Sequence, residues 1–146
     1  IQMARFIQQF EPGATIAAND VGAINYYANI NTMDLVGLSD KEVFWLRRNN
    51  AYTTDAMVAL ATRRGVKIAI VYDSWFSRIK LPVTAGPPIP LSWIRVERWA
   101  TPNGIFLGDG VVSFYAPNVT EAAALRAALA QFAANSLPTV DRVIPN

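Results

Sequence analysis

Residues 66–72, Val-Lys-Ile-Ala-Ile-Val-Tyr, limit the possible folds more than any other stretch. Apart from Lys67 the run is apolar along its length, so it cannot be a strand with one face in water, which would alternate apolar and polar residues. It is far shorter than the roughly 18 to 20 apolar residues of a membrane-spanning helix. It follows a helical pattern in which Met57, Leu60 and Ala61 share a face, and Gly65 supplies the residue that tolerates a left-handed helix stop. A short, wholly apolar strand fed by a helix is what a parallel sheet covered on both faces requires.

The rest of the first half repeats this alternation. Phe6, Ile7 and Phe10 lie on one side of a helix over 4–10 that Glu11-Pro12-Gly13 ends. A strand is expected over 14–18, then Asn19-Asp20 as caps for a helix over 21–28. A second strand over 32–38 precedes Ser39-Asp40-Lys41-Glu42, whose serine and glutamate have capping-box spacing, and a helix over 40–48. Thr53 or Thr54 caps the helix before the 66–72 run.

The second half changes character. Pro82, Gly86, Pro87, Pro88 and Pro90 make a stiff connector in which no helix propagates. Over 92–100, Trp93, Arg95, Glu97 and Trp99 alternate with Ile94, Val96 and Arg98, and runs at 105–107 and 111–115 flank a Gly108-Asp109-Gly110 turn. These are expected to be antiparallel strands. Thr120 caps a last helix with a Leu125, Leu129, Phe132 stripe, ended over 135–138. The expected fold is one α/β domain over 1–146, a layered sheet with helices on both faces, parallel in its first half and antiparallel in its second. Because the chain opens on Ile1 without a signal-peptide pattern, we expect it to be a segment of a larger protein.

The chain has neither cysteine nor histidine. That removes thiolate nucleophiles, imidazole bases, thiol redox chemistry and Cys/His zinc sites. Ser74, Ser77, Ser92 and Thr101 therefore have no imidazole to activate them, and none sits in a nucleophile elbow. The net charge is +2, but the basic residues come in scattered pairs such as Arg47-Arg48 and Arg63-Arg64, so no nucleic-acid partner is expected.

The candidate ligand-binding residues are Asn19, Asp20, Gly22, Asp34, Asp73 and Trp75. Asn19-Asp20-Val21-Gly22 joins a strand end to a helix start, the edge of an open α/β sheet where ligands bind. An aspartate there suits sugar hydroxyls or a cation better than a bare phosphate. The same residues also read as a helix cap with a packing glycine. Asp34 and Asp73 follow or end strands that can reach that edge, where three carboxylates can bind a hard cation or, with one desolvated, pair as acid and base; either can equally satisfy loop amides or an arginine. No metal and no cofactor is expected. Trp75, Phe76, Trp93 and Trp99 read as core packing, with a sugar-stacking or membrane-interface surface as the other reading. Gly108-Asp109-Gly110 is a hairpin turn rather than a phosphate loop, and Asn118-Val119-Thr120 a helix cap rather than a glycosylation site.

The run Ala17-Ala18-Asn19-Asp20-Val21-Gly22-Ala23-Ile24-Asn25-Tyr26-Tyr27, followed by Met33-Asp34-Leu35-Val36-Gly37-Leu38, resembles the C-terminal soluble domain of bacterial multispanning membrane glycosyltransferases of the GT-C, mannosyltransferase-like type. The likeness covers 14–38 and the order of elements to about residue 75. It implies a domain on the extracytoplasmic, periplasmic face of a bacterial membrane, attached to a transmembrane part of the same polypeptide that takes sugar from a polyprenyl-phosphate donor. The family's catalytic acid lies in that membrane part, so no catalytic residue is carried over. Asn19, Asp20, Gly22, Asp34 and Gly37 match the recurrent motif positions. The implied role is accessory: positioning the acceptor, a glycan or a lipid-linked sugar. The rival readings are a small carboxylate-dependent enzyme using Asp20, Asp34 and Asp73, and a stand-alone ligand-binding module.

Overall fold

A computed structural model describes residues 2–76, 86–100, 110–136 and 141–143. The expected strand at 105–107, the Gly108-Asp109 part of its turn, and Ser77, Pro82 and Thr101 lie outside the described residues. The elements run α1 (Gln2–Phe10), β1 (Thr15–Ala18), α2 (Gly22–Tyr27), β2 (Asn31–Asp34), α3 (Lys41–Arg48), α4 (Thr54–Arg63), β3 (Val66–Val71), a 3-10 turn (Asp73–Phe76), β4 (Ile94–Ala100), β5 (Val111–Ala116), α5 (Val119–Ser136) and β6 (Asp141–Val143).

The strands form one six-stranded sheet in the order β2-β1-β3-β5-β4-β6. β1 pairs parallel with β2 on one side and β3 on the other, while β5, β4 and β6 add antiparallel. Two apolar layers sandwich the sheet. Phe6 and Ile7 of α1, Ile24 of α2 and Leu125, Leu129 and Phe132 of α5 cover one face, against Ile16, Ile68, Ile70 and Phe114. Val43 of α3 and Met57, Leu60 and Ala61 of α4 cover the other, against Ala17, Met33, Ala69 and Val71. β3 thus has apolar neighbours on both sides, which its unbroken apolar sequence requires. The mixed sheet with helices on both faces is the expected architecture. Among the described residues no helix is long and apolar enough to cross a membrane.

Several local expectations are corrected. The second strand stops at Asp34, because that side chain turns the chain by accepting from the amides of Val36 and Ser39 at 2.9 and 2.7 Å. The N-cap of α3 is Asp40 rather than Ser39. Its carboxylate accepts from the amides of Glu42 and Val43, whereas the Ser39 hydroxyl is spent on Asp34. Of the two threonines expected as candidates, Thr53 caps α4, and Gly65 is left-handed at φ 64°. Asn118, not Thr120, caps α5, accepting from the Glu121 amide at 2.9 Å.

Strict alternation in β4 would place Trp93 and Trp99 on the same face. An irregularity between Arg95 and Glu97 breaks the register, so Trp93 packs in the α3/α4 layer and Trp99 in the α1/α5 layer. Trp99 sits among Phe6, Phe114 and Phe132, with ring centroids 4.5 to 6.1 Å away. Phe76, Trp93 and Trp99 are buried and act as core; of the four aromatics singled out, Trp75 alone is only half-buried.

Candidate functional site at the strand ends

The connection from β1 runs through α2 on one face to β2, and the connection from β2 runs through α3 and α4 on the other face to β3. After β1 the chain packs Ile24 of α2 into one layer, and after β3 the 3-10 turn packs Phe76 into the other, so the carboxyl ends of β1 and β3 are continued on opposite faces. A crevice at such a switch point is where open α/β sheets bind ligands, because side chains of two loops face each other across rigid strand ends.

Asn19 and Asp20 follow β1; Tyr72 and Asp73 follow β3. The Asn19 carbonyl Oδ1 accepts from the Tyr72 amide at 3.0 Å, tying the two strand ends together beyond their last ladder bond. The Asn19 Nδ2, in a residue that is only 6 % exposed, has no hydrogen-bond partner among the described residues. Asn19-Asp20 was expected to cap α2, and it does not: the N-cap is Val21 and makes no side-chain bond. Instead the Tyr72 hydroxyl donates to Asp20 Oδ2 at 3.2 Å. The Tyr72 ring lies 5.9 Å from the Trp75 indole, and the Trp75 amide donates to the Tyr72 carbonyl at 3.0 Å. Gly22 is exposed in the first turn of α2, and a Cβ placed there would meet only Asp20 Oδ1 at 3.8 Å, an ordinary contact.

Asp73 belongs to a second cluster. Its Oδ2 accepts from the Ser113 hydroxyl at 2.7 Å and its Oδ1 from the Tyr115 hydroxyl at 2.8 Å. The Arg95 guanidinium stands 3.6 Å from Oδ2. The Asp73 and Arg95 side chains are 39 % and 36 % exposed, so this is an open, pre-positioned charge pair. A carboxylate has about four acceptor positions, so two hydroxyl donors leave capacity for a ligand. Burial, and then the hydrogen bond to Asp73, push the Tyr115 phenol up to about 12. It is the neutral hydroxyl that holds Asp73.

Tyr72 packs in the α1/α5 layer and Tyr115 in the α3/α4 layer, so the carboxylates of Asp20 and Asp73 are anchored from opposite faces of the sheet end. Asp34 is not part of either cluster. It is 1 % exposed, and its oxygens accept from Val36 and Ser39 of its own loop. Among the described residues no group of three or more carboxylates is arranged to hold a metal ion.

Of the candidates read from sequence, the strand ends thus unite Asn19, Asp20 and Trp75 through Tyr72, place Asp73 beside them in its own cluster, and assign Asp34 to its loop. Tyr72, Ser113, Tyr115 and Arg95 are additional. Ser113 and Tyr115 had a detectable signal: they stand two apart in an otherwise apolar strand, so they share a face and need a polar partner.

Residues 1–115 of the chain match the family described as Domain of unknown function (DUF8728). No curated protein and no solved structure matches the chain.

Proposed function

The chain belongs to the DUF8728 family, and on its own geometry we propose that it is a non-catalytic, glycan-positioning domain. In this reading it is the extracytoplasmic, periplasmic part of a polyprenyl-phosphate-sugar-dependent membrane glycosyltransferase, whose transmembrane part belongs to the same polypeptide. The observation that carries the reading is the half-open Asp73–Arg95 pair, fixed by Ser113 and Tyr115, with the Trp75 indole two residues along the chain.

Sugars offer vicinal hydroxyls, which donate to a fixed carboxylate and accept from an arginine, and an apolar C–H face, which lies on an indole. Asp20, held by Tyr72, supplies acceptor oxygens on the other rim. The position of these groups at rigid strand ends limits the entropy lost when a flexible acceptor chain is ordered there. The chemistry available favours holding over reacting: histidine and cysteine are absent, and Asp34 is consumed by its loop.

Two measurements test the reading. An antibody against the chain, used on fractionated source cells, is expected to find a membrane-bound species several times larger than 16.0 kDa. A non-membrane species near 16.0 kDa would overturn the transferase assignment. Titration of the chain with bacterial oligosaccharides is expected to show binding that Trp75→Ala and Asp73→Asn weaken; binding unchanged in both variants would remove the strand-end site. Sugar transfer by the chain alone would refute the non-catalytic role.

A further inference from the structure

The outward stripe of α3 carries aromatic rings where a water-facing helix carries polar side chains. Lys41, Phe44, Trp45 and Arg48 recur at i, i+3, i+4 and i+7 and are all exposed. Phe44 and Trp45 are 46 % and 47 % exposed, with rings edge to face at 5.4 Å. Val43, on the opposite side, is fully buried. Leu38, 86 % exposed, is held beside this stripe: it follows Gly37, whose Cβ position lies 2.9 Å from the Phe44 backbone nitrogen.

The charges of this face are cationic in effect. Asp40 is ion-paired with Arg64, and Glu42 with Arg63 and Arg64. Among the described residues neither Lys41 nor Arg48 has an ion-pair partner. Exposed Trp and Phe between lysine and arginine have the composition of a membrane-interface helix face, with rings at headgroup level and cations against phosphates. Protein–protein interfaces are depleted in lysine and cover their aromatic anchors with a rim, which makes a protein partner the poorer fit.

We propose that the outer face of α3 docks on an anionic lipid bilayer surface, Phe44, Trp45 and Leu38 entering the headgroup boundary and Lys41 and Arg48 pairing with headgroup phosphates. This concerns α3 alone and stands whether or not the strand-end site takes a glycan.

The test is co-sedimentation of the chain with vesicles of phosphatidylcholine mixed with phosphatidylglycerol, against phosphatidylcholine alone. The chain is expected to bind the mixed vesicles, and less so at high salt. The double variant Phe44→Ser, Trp45→Ser should lose about tenfold or more in partition, from the lost apolar insertion. Lys41→Gln and Arg48→Gln should each lose roughly fivefold. Leu91→Ser, at an exposed leucine outside this stripe, should bind as the parent chain does. The four substituted α3 positions and the control position Leu91 are all exposed, so unchanged circular dichroism is expected throughout. Absence of parent-chain binding to the mixed vesicles would overturn the proposal, as would equal loss in Leu91→Ser. So would α3 variants that leave lipid binding intact but abolish a dimer in solution, which would assign the face to a second copy.

Discussion

At the scale of single residues, Asp34 and Asp73 show how two aspartates at the carboxyl ends of strands in one sheet acquire different roles. Asp34 is enclosed and supplies the acceptors for two loop amides and a hydroxyl, so Asp34→Ala strands those donors and is expected to cost about 3 kcal/mol in urea unfolding. Asp73→Asn keeps an acceptor for one hydroxyl in a half-open place; it should cost less than about 1 kcal/mol while weakening oligosaccharide binding about tenfold or more. Tyr115 gives a separate reading of the same cluster. Its phenol is raised above the unfolded value of about 10, so its contribution to stability is complete below that pH and is lost as pH rises through about 12. Ultraviolet titration should show late tyrosinate components, of which Tyr115→Phe removes the one near 12 and leaves that of Tyr52, whose phenol burial raises further. Sequence spacing named both aspartates but could not separate them, because the deciding fact is what each oxygen meets, and the partners of Asp73 come from Ser113 and Tyr115, forty residues and more away.

Among the elements, capping and register decide where sequence reading succeeds. The apolar run of β3 and the Thr53 cap of α4 were legible because both depend on near neighbours. The cap of α3 falls one residue later than the capping-box spacing places it, because Asp34 takes the Ser39 hydroxyl and leaves Asp40 to accept from the first-turn amides. The flip within β4 was hidden altogether, since a bulge changes side-chain phase without changing composition. Burial works against a charge on Asp40, but the hydrogen bond from Arg64 and the amides of Val43 and Glu42 outweigh it and hold the carboxyl below the usual range. A depressed carboxyl contributes stability above the unfolded value of about 4 and loses it as pH falls through the folded one. The parent chain should therefore lose more stability between pH 7 and pH 3 than Asp40→Asn does, as measured by urea midpoints. Gly37 tests the same loop by shape. At φ 80° it is left-handed, and an added Cβ would lie 2.9 Å from the Phe44 nitrogen, so Gly37→Ala is expected to cost about 2 to 4 kcal/mol. Gly65→Ala, left-handed but facing open space, should cost about 1 kcal/mol.

For the whole molecule, the order β2-β1-β3-β5-β4-β6 joins a doubly wound parallel half to an antiparallel half at the β3–β5 pair, and this places both the site and the least protected region. β1, β3 and β5 have a strand on each side and apolar layers on both faces, so their amides can exchange only when the domain opens globally. Among the described residues β2 has a neighbour on one side only, and it spans four residues, the short edge by which sheets discourage further pairing. Hydrogen exchange followed residue by residue should therefore show the amides of Ile68 to Val71 as the slowest, and those of β2 opening several kcal/mol more easily. The comparison bears on function because the candidate strand-end site rests on β1 and β3. If their protection equals the free energy of global unfolding, Asp20, Asp73 and Trp75 stand on a frame that does not fluctuate separately from the fold, and a ligand there finds its partners already placed. Protection of β1 as low as that of β2 would mean that the site must be ordered by its ligand, and the expected affinity would fall by the free energy spent on that ordering.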